Sequence, residues 1–268
     1  MRNKITKFFI FFIIGFICLY IFYQLFGWDL ATKKYKSQIE STLHSSLDEP
    51  FKAGEKIAYT LRYLGLPAGK VVIRVEEMKR YKDRPVYHLL AWGRTSDFVS
   101  LFFEIEGSLH SYMDVDRLHS LYFKEESQAR GHRKNKKEVF YNQKDLYLTI
   151  EGEKIRILPD TQDPLSALYL IRLLDIDKLK EGYEINIKSR KRDRFLYVQL
   201  KGREELKTPF GRIKTIKLYF HLKPVKATTR HEVSGTIWFT DNKKRIPILV
   251  KADTKAGPAS ILLYDIQL

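Results

Sequence analysis

Cysteine is almost absent from this chain of 268 residues, in which Cys18 is the single example. It lies between Ile17 and Leu19 inside an apolar run, without the small preceding residue that a lipidation cysteine has. Residues 37–268 therefore contain no disulfide and no thiolate chemistry. Such a composition is compatible with an oxidising compartment but does not require one.

Motifs for catalysis and cofactor binding are also missing. The chain has no phosphate-binding glycine loop, zinc pattern or dinucleotide fingerprint, and Ser166 has no Gly-x-Ser-x-Gly elbow around it. Glu104 and Glu106 would share a face of an extended segment, as a glycosidase pair does. Their alternation with apolar residues is more typical of a sheet with one solvated face. The sequence therefore predicts a protein that is not an enzyme and needs no cofactor.

One polar group has the composition of a metal site. His110, Asp114, Asp116 and His119 could bring two imidazoles and two carboxylates to one turn. The segment from Asp114 to Asp116 is also an ordinary Asx-type turn, and the two histidines would lie on separate strands. We therefore predict no metal site.

Long apolar runs occur only once, at residues 8–28, after a basic head at residues 1–7. Because roughly 20 apolar residues cross a bilayer, this run predicts a transmembrane helix. No small-x-small cleavage site follows it, which favours a retained signal anchor over a cleaved signal peptide. We expect the head in the cytoplasm, a linker or short helix at 29–50, and an extracytoplasmic β domain at 51–268. The location would be a bacterial inner membrane, crossed once.

Positive charge dominates the chain, whose net charge is +16. Outside a membrane the available polyanions are lipid phosphates, lipopolysaccharide and acidic glycans, so we expect no nucleic-acid partner. Two clusters are candidate contacts with an anionic surface, and the alternative is two solvated hairpin tips. Their members are Arg130, Arg133, Lys134, Lys136 and Lys137 in the first cluster, and Lys188, Arg190, Lys191, Arg192 and Arg194 in the second.

Alternation of apolar and polar residues predicts strands through most of residues 51–268. Short connections between them imply antiparallel neighbours. One helix interrupts the series from Asp163 to Leu174, with an N-cap and a proline at its first position, and a shorter one is expected from Ser96 to Phe103. The predicted fold is mainly β: a curved antiparallel sheet or open β-barrel of about 10 to 13 strands with one buried helix.

Arg172 is the unusual residue of that helix, because a buried charge needs a partner. Asp160, Asp163, Asp175 or Asp177 could provide one. The alternative is that Arg172 faces a cavity and contacts a ligand anion. On that interpretation Arg172 and Tyr169 are the candidate ligand-binding residues.

Five segments follow one another along the chain: residues 54–59 (GEKIAY), 64–69 (LGLPAG), 163–172 (DPLSALYLIR), 208–211 (TPFG) and 238–247 (WFTDNKKRIP). This order of motifs resembles a family of exported bacterial proteins catalogued as domain of unknown function 3108. The resemblance covers residues 54–268 and implies an envelope location and a mainly antiparallel β fold, without an activity.

Two functional classes remain. The first is a membrane-anchored envelope module whose barrel binds a lipid, glycolipid or glycan during envelope transport or assembly. The second is a structural or interaction scaffold without a small-molecule ligand, whose basic hairpins contact anionic lipid or a partner protein. An apolar cavity of roughly 300 Å³ or more would favour the first class, and a filled barrel the second.

Overall fold

A computed structural model of the protein describes residues 51–189, 194–224, 232–254 and 257–267. They form one 15-stranded sheet, in which each pair of neighbouring strands is antiparallel, and three helices, α1 (Asp97–Ser100), α2 (Pro164–Leu173) and α3 (Ile176–Glu181). The strands are β1 (Lys56–Tyr63), β2 (Leu66–Val75), β3 (Lys79–Tyr81), β4 (Arg84–Thr95), β5 (Ile105–Asp114), β6 (Ser120–Ala129), β7 (Asn135–Asn142), β8 (Tyr147–Ile150), β9 (Glu153–Arg156), β10 (Tyr183–Ile187), β11 (Arg194–Thr208), β12 (Gly211–Pro224), β13 (Val233–Thr240), β14 (Pro247–Thr254) and β15 (Gly257–Gln267).

The order of the strands joins the first to the last. Its path runs β10-β11-β12-β13-β14-β15-β1-β2-β4-β5-β6-β7-β8-β9, and β3 pairs with β4 off this path. Lys56 of β1 pairs with Gln267 of β15, so the two halves of the chain form one continuous surface. The two edges of the sheet are β9 and β10, which are separated in sequence by α2 and α3.

The segment that follows β9 bridges those two edges. The N–H of Gln162 donates to the Asn186 carbonyl at 2.8 Å, and the N–H of Lys188 donates to the Gln162 carbonyl at 3.0 Å. The Tyr141 hydroxyl donates to the Lys188 carbonyl at 2.6 Å. The sheet is therefore an open barrel whose seam is bridged by hydrogen bonds, which covers edges that would otherwise expose unpaired backbone groups.

Helix α2 begins where the sequence predicts and lies inside the barrel. Asp163 caps it by accepting hydrogen bonds from the N–H groups of Leu165 and Ser166, and Pro164 occupies the first turn. One side of the helix, with Ala167 and Ile171, packs on β10 to β13. The opposite side packs on β2, β4 and β5 through Leu165 and Tyr169. Because α2 contacts both walls, it forms the centre of the core.

Three details differ from the sequence-based expectation. The sheet has more strands than expected for two reasons. Residues 145–157, whose alternation predicts a single strand, form the hairpin of β8 and β9, which turns at Glu151 and Gly152, both with positive φ. Strand β3, which has only 3 residues, is not predicted by the sequence pattern. A second helix, α3, buries Leu179 in the core. The predicted helix at 96–103 is shortened to the 4 residues of α1 and buries none of them.

The predicted membrane anchor at residues 8–28 lies outside the described residues. Within residues 51–189, 194–224, 232–254 and 257–267, no helix has the length and apolar character needed to span a bilayer.

Alternating strand directions place the connections at two ends of the barrel. The end that we call the rim end carries the β1–β2 turn, the β4–β5 connection with α1, and the β6–β7 turn. The opposite end carries the β2–β3, β5–β6 and β11–β12 turns, and the described chain enters β1 there at residues 51–55.

Candidate functional site

The predicted ligand-binding residue Arg172 lies in the core, with a relative exposure of 2%. Its Nη1 donates to Oε1 of Glu55 at 2.6 Å and its Nη2 to Oε2 of Glu55 at 2.8 Å, a bidentate ion pair. Nη2 and Nε also donate to the Lys244 carbonyl, at 3.0 and 3.2 Å. The guanidinium lies 5.2 Å from the ring centre of Phe51 and 4.9 Å from that of Tyr169.

These contacts make the Glu55–Arg172 ion pair a structural link inside the barrel. Burial by itself would lower the pKa of Arg172, but the carboxylate of Glu55 holds that pKa above its usual value. Burial raises the pKa of Tyr169 well above its usual value, and its hydroxyl donates to Glu55 at 3.3 Å. The geometry therefore ties Arg172 and Tyr169 to the segment that precedes β1.

The four aspartates considered as partners of Arg172 have other contacts. Asp163 and Asp175 cap α2 and α3, Asp160 lies 3.3 Å from His119, and Asp177 pairs with Lys180. The partner found, Glu55, is 117 residues away in sequence. Separation of that size explains why sequence reasoning missed it.

Side chains fill the part of the barrel around α2. Fully buried residues on both sides of the helix form two contiguous apolar clusters, one on each wall. A cleft at the bridged seam, lined by Leu158, Thr161, Ile187, Arg194 and Phe195 among others, has a volume of about 10 Å³. That volume is enough for about one water molecule and far too small for an acyl chain.

The polar residues considered for chemistry lie in separate places. His110 contacts His88 on the outer face, with Nδ1 and Nε2 3.2 Å apart. Asp114 accepts from the N–H groups of residues 116 and 117, as an Asx turn does. Ser166 belongs to the capping box of α2. Among the described residues, no three His, Cys, Asp or Glu side chains converge as a metal site would require.

The first basic cluster lies on the β6–β7 hairpin, at the rim end. Three of its members form ion pairs: Arg130 with Glu104 at 3.0 Å, Lys134 with Glu126 at 3.2 Å, and Lys136 with Glu138 at 3.0 Å. Five of these six side chains are substantially exposed to solvent, and the sixth, that of Glu126, is largely covered. Arg133 is exposed at the turn itself. The hairpin is therefore solvated and partly neutralised by neighbouring carboxylates.

The second cluster differs from its predicted form. Lys188 has a relative exposure of only 4%, and its Nζ donates to the Arg156 carbonyl at 3.2 Å, so it is part of the seam and not a surface cation. Arg194 pairs with Ile187 where β10 and β11 meet, again at the rim end. The remaining members, Arg190, Lys191 and Arg192, lie outside the described residues.

Beside the basic hairpin is an exposed apolar surface that sequence reasoning did not single out. Leu101, Phe102 and Phe103 have relative exposures of 71%, 74% and 66%. Four more exposed apolar side chains lie on the same end of the barrel. We call the whole set the apolar rim: Leu64, Leu66, Phe98, Leu101, Phe102, Phe103 and Ile105.

Local hydrogen bonds hold the loop between β4 and β5, which carries most of the apolar rim. Ser96 caps α1 by accepting from the Val99 N–H, and its own N–H and hydroxyl donate to the carbonyls of Ala68 and Pro67 at 2.9 and 3.1 Å. The Ile105 N–H donates to the Thr95 hydroxyl at 3.2 Å. The loop is thus attached to β2 at one end and to β4 at the other.

The apolar rim and the basic hairpin are joined directly. The Arg130 N–H donates to the Glu104 carbonyl at 3.0 Å, next to Phe103, and the side chains of the same two residues form an ion pair. The mostly apolar segment from 98 to 103, interrupted only by Ser100, was the available signal in the sequence. It predicted a short helix, and apolar helices are normally buried.

The sequence and this fold identify a family. The chain matches the family described as "Protein of unknown function (DUF3108)" over residues 58–264, and it belongs to that family. No curated protein sequence matches it.

Solved structures resemble the fold at low sequence identity. A β-barrel-like protein of the family DUF1849 from Brucella abortus has a TM-score of 0.51 at 10% identity, covering 80% of this chain and 96% of its own. A presumed lipoprotein from Parabacteroides distasonis has a TM-score of 0.39 at 10% identity, covering 83% and 99%. A presumed exported protein from Bacteroides fragilis has a TM-score of 0.36 at 11% identity, covering 84% and 100%. The first likeness establishes a shared barrel-like fold and no activity.

Proposed function

We propose that this protein is a non-catalytic module of the bacterial cell envelope that associates with anionic lipid through the rim end of its barrel. The observation that carries the proposal is the exposed basic hairpin at that end, beside an exposed apolar surface. Lys and Arg close to an anionic membrane each contribute about 1 kcal/mol of attraction. A hairpin tip at one end of a barrel can bring several of them to a flat surface together.

The packing around α2 favours this surface role over a ligand enclosed in the barrel. The sequence left open a module that binds a lipid, glycolipid or glycan inside the sheet, with Arg172 and Tyr169 at the site. Both residues are instead engaged with Glu55, and the small cleft at the seam cannot hold an acyl chain. Envelope location is part of the proposal, and the predicted anchor at residues 8–28 and the family resemblance support it.

Hydrogen exchange on the full-length chain tests the proposal. The protein is reconstituted into vesicles of phosphatidylcholine alone or with phosphatidylglycerol, and exchange is compared peptide by peptide. We expect residues 128–138 to exchange more slowly on the anionic vesicles at low salt, and residues 76–84 at the opposite end to be unchanged. Salt should abolish the difference, because such charges are screened over about 8 Å at physiological ionic strength.

Neutralised variants supply the matched control. Arg133, Lys134 and Lys137 changed together to Gln should lose the protection. The same change at Lys82, Lys144 and Lys178, exposed cations at the opposite end, should leave it intact. Absence of protection at the rim end in the parent, or equal protection in both variants, would refute the proposal.

A further inference from the structure

We infer that the apolar rim is a membrane-insertion surface, an inference that rests on the proposed function. Leu101, Phe102 and Phe103 enter the interfacial region of an anionic phospholipid bilayer, while Arg133, at the turn of the neighbouring β6–β7 hairpin, contacts the lipid phosphates. Charge brings the barrel to the surface, and the apolar side chains hold it there.

Exposure of this size needs an explanation in physical terms. A monomeric soluble protein seldom exposes a large contiguous apolar patch without a binding role. Here seven large apolar side chains lie at one end of the barrel, and the loop that carries three of the most exposed buries no residue of its helix α1. The loop therefore contributes little to the core, and its apolar character serves another purpose.

Position and rigidity suit the loop for insertion. Its two ends are attached to strands β2 and β4 by the bonds of Ser96 and Thr95, so the apolar side chains are presented without ordering a flexible segment. Phenylalanine and leucine at the tip of a fixed element gain most by leaving water, since the transfer of apolar surface out of water is favourable in proportion to its area. The mode is that of a protein that lies on a membrane without spanning it.

The charges around the loop select an anionic bilayer as the occupant. Acidic side chains of the loop are already engaged, Glu104 with Arg130 and Asp97 with Arg94. Arg133 extends the cationic border at the neighbouring turn. A second copy of this chain would bring the same cations together and repel, whereas lipid phosphates complement them.

The inferred surface is remote from the point at which the chain enters the barrel. Residues 51–55 lie at the opposite end, and β1, with 8 residues, separates the two ends by about 26 Å. An anchor at residues 8–28 would therefore attach the chain separately. Simple vesicle binding cannot distinguish the two attachments, so the test must report on the loop itself.

A fluorophore on the loop provides that report. In full-length protein carrying Cys18→Ser, which removes the single native cysteine, Phe102→Cys is labelled with an environment-sensitive dye. Met78→Cys is the matched control, since Met78 is an apolar residue with 54% exposure at the opposite end. Both are reconstituted into vesicles whose acyl chains carry bromine quenchers.

We expect the dye at position 102 to be quenched and blue-shifted in vesicles that contain phosphatidylglycerol, and the dye at position 78 to be unaffected. Adding Leu101→Ser and Phe103→Ser should reduce the quenched fraction about tenfold. Slow exchange of residues 128–138 at low salt should survive that change, because it depends on charge.

Four results would overturn the inference. Protection of residues 128–138 without quenching at position 102 would leave the proposed function standing and refute insertion. Equal quenching in pure phosphatidylcholine would refute the role of the anionic headgroup. A blue shift at position 102 that depends on protein concentration in lipid-free detergent would make a second copy the occupant. Loss of both protection and quenching would refute the proposed function as well.

Discussion

The buried pair of Glu55 and Arg172 makes a prediction whose size can be worked out from its contacts. Glu55→Gln removes the carboxylate and leaves the guanidinium of Arg172 in the core without its counter-charge. Breaking a buried ion pair in this way costs about 3–5 kcal/mol. For a domain of 150–250 residues, each kcal/mol shifts the melting temperature by roughly 2–4 °C. Glu55→Gln should therefore lower it by about 6–20 °C.

Replacing both partners tests the cause. Glu55→Leu with Arg172→Met removes both charges and keeps most of the volume, and such replacements are often close to neutral. Here the Lys244 carbonyl would also lose the two hydrogen bonds that it accepts from Arg172, at a cost of about 1–3 kcal/mol. The double variant should thus recover much of the loss, but not all of it.

Thermal unfolding of the full-length protein in mild detergent, followed by circular dichroism, measures both variants. Glu205→Gln is the control, because Glu205 pairs with Arg212 at 3.4 Å on the surface, where an ion pair contributes less than about 1 kcal/mol. If Glu55→Gln melted within a degree or two of that control, the pair would not support the core and the assignment of Arg172 would be wrong.

Three other predictions concern stability. Ala167→Asp should unfold the domain, because it places a carboxylate in the cluster between α2 and β10 to β13, whereas Leu168→Asp, at a partly buried position, should give a folded but less stable protein; urea unfolding separates them, and equal midpoints would contradict the placement of α2. Burial lowers the pKa of His88 to about 4 and also lowers the pKa of His110. The unfolded chain therefore binds protons at a higher pH than the folded chain, and the unfolding free energy should fall as pH decreases from about 6.5 to about 4. A chain with His88→Phe should show a shallower dependence of unfolding free energy on pH, and an unchanged slope would exclude the histidine pair as its source. Burial raises the pKa of Asp163, so this side chain stabilises the fold most when it is protonated, and its contribution declines as pH rises through that pKa. Asp163→Asn should therefore cost less stability than Asp163→Ala, which loses the helix cap at about 0.5–2 kcal/mol. The reverse order of melting temperatures would show that the charge itself is needed.

Local chemistry in the sequence predicted most of the elements. Strands follow from period-2 alternation between turn residues, and helix α2 follows from Asp163 and Pro164, whose capping preferences act within a few residues. The sequence pattern did not predict the turn at Glu151 and Gly152, which separates β8 from β9. Polar and apolar residues alternate continuously through this segment, and alternation does not show where a strand reverses direction.

Long-range contacts were beyond such reasoning. The need of Arg172 for a partner could be predicted from its helix, since a buried charge must be compensated. Which carboxylate compensates it depends on β1 entering the barrel beside α2, 117 residues away. The predicted membrane segment at residues 8–28 remains a prediction from the sequence.

Burial of individual side chains was decided only by the tertiary structure. Lys188 belongs to a run of cations that resembles a solvated turn, yet it is buried at the seam, where the backbone carbonyl of Arg156 accepts a hydrogen bond from its ammonium group. Phe102 and Phe103 belong to an apolar run that resembles core, yet they are exposed because their loop connects two strands at the end of the barrel. The sequence alone determined which residues are apolar, charged or able to cap a helix. The tertiary structure decided which of them face water, because burial is a property of the assembled chain and depends on how fifteen strands enclose helix α2.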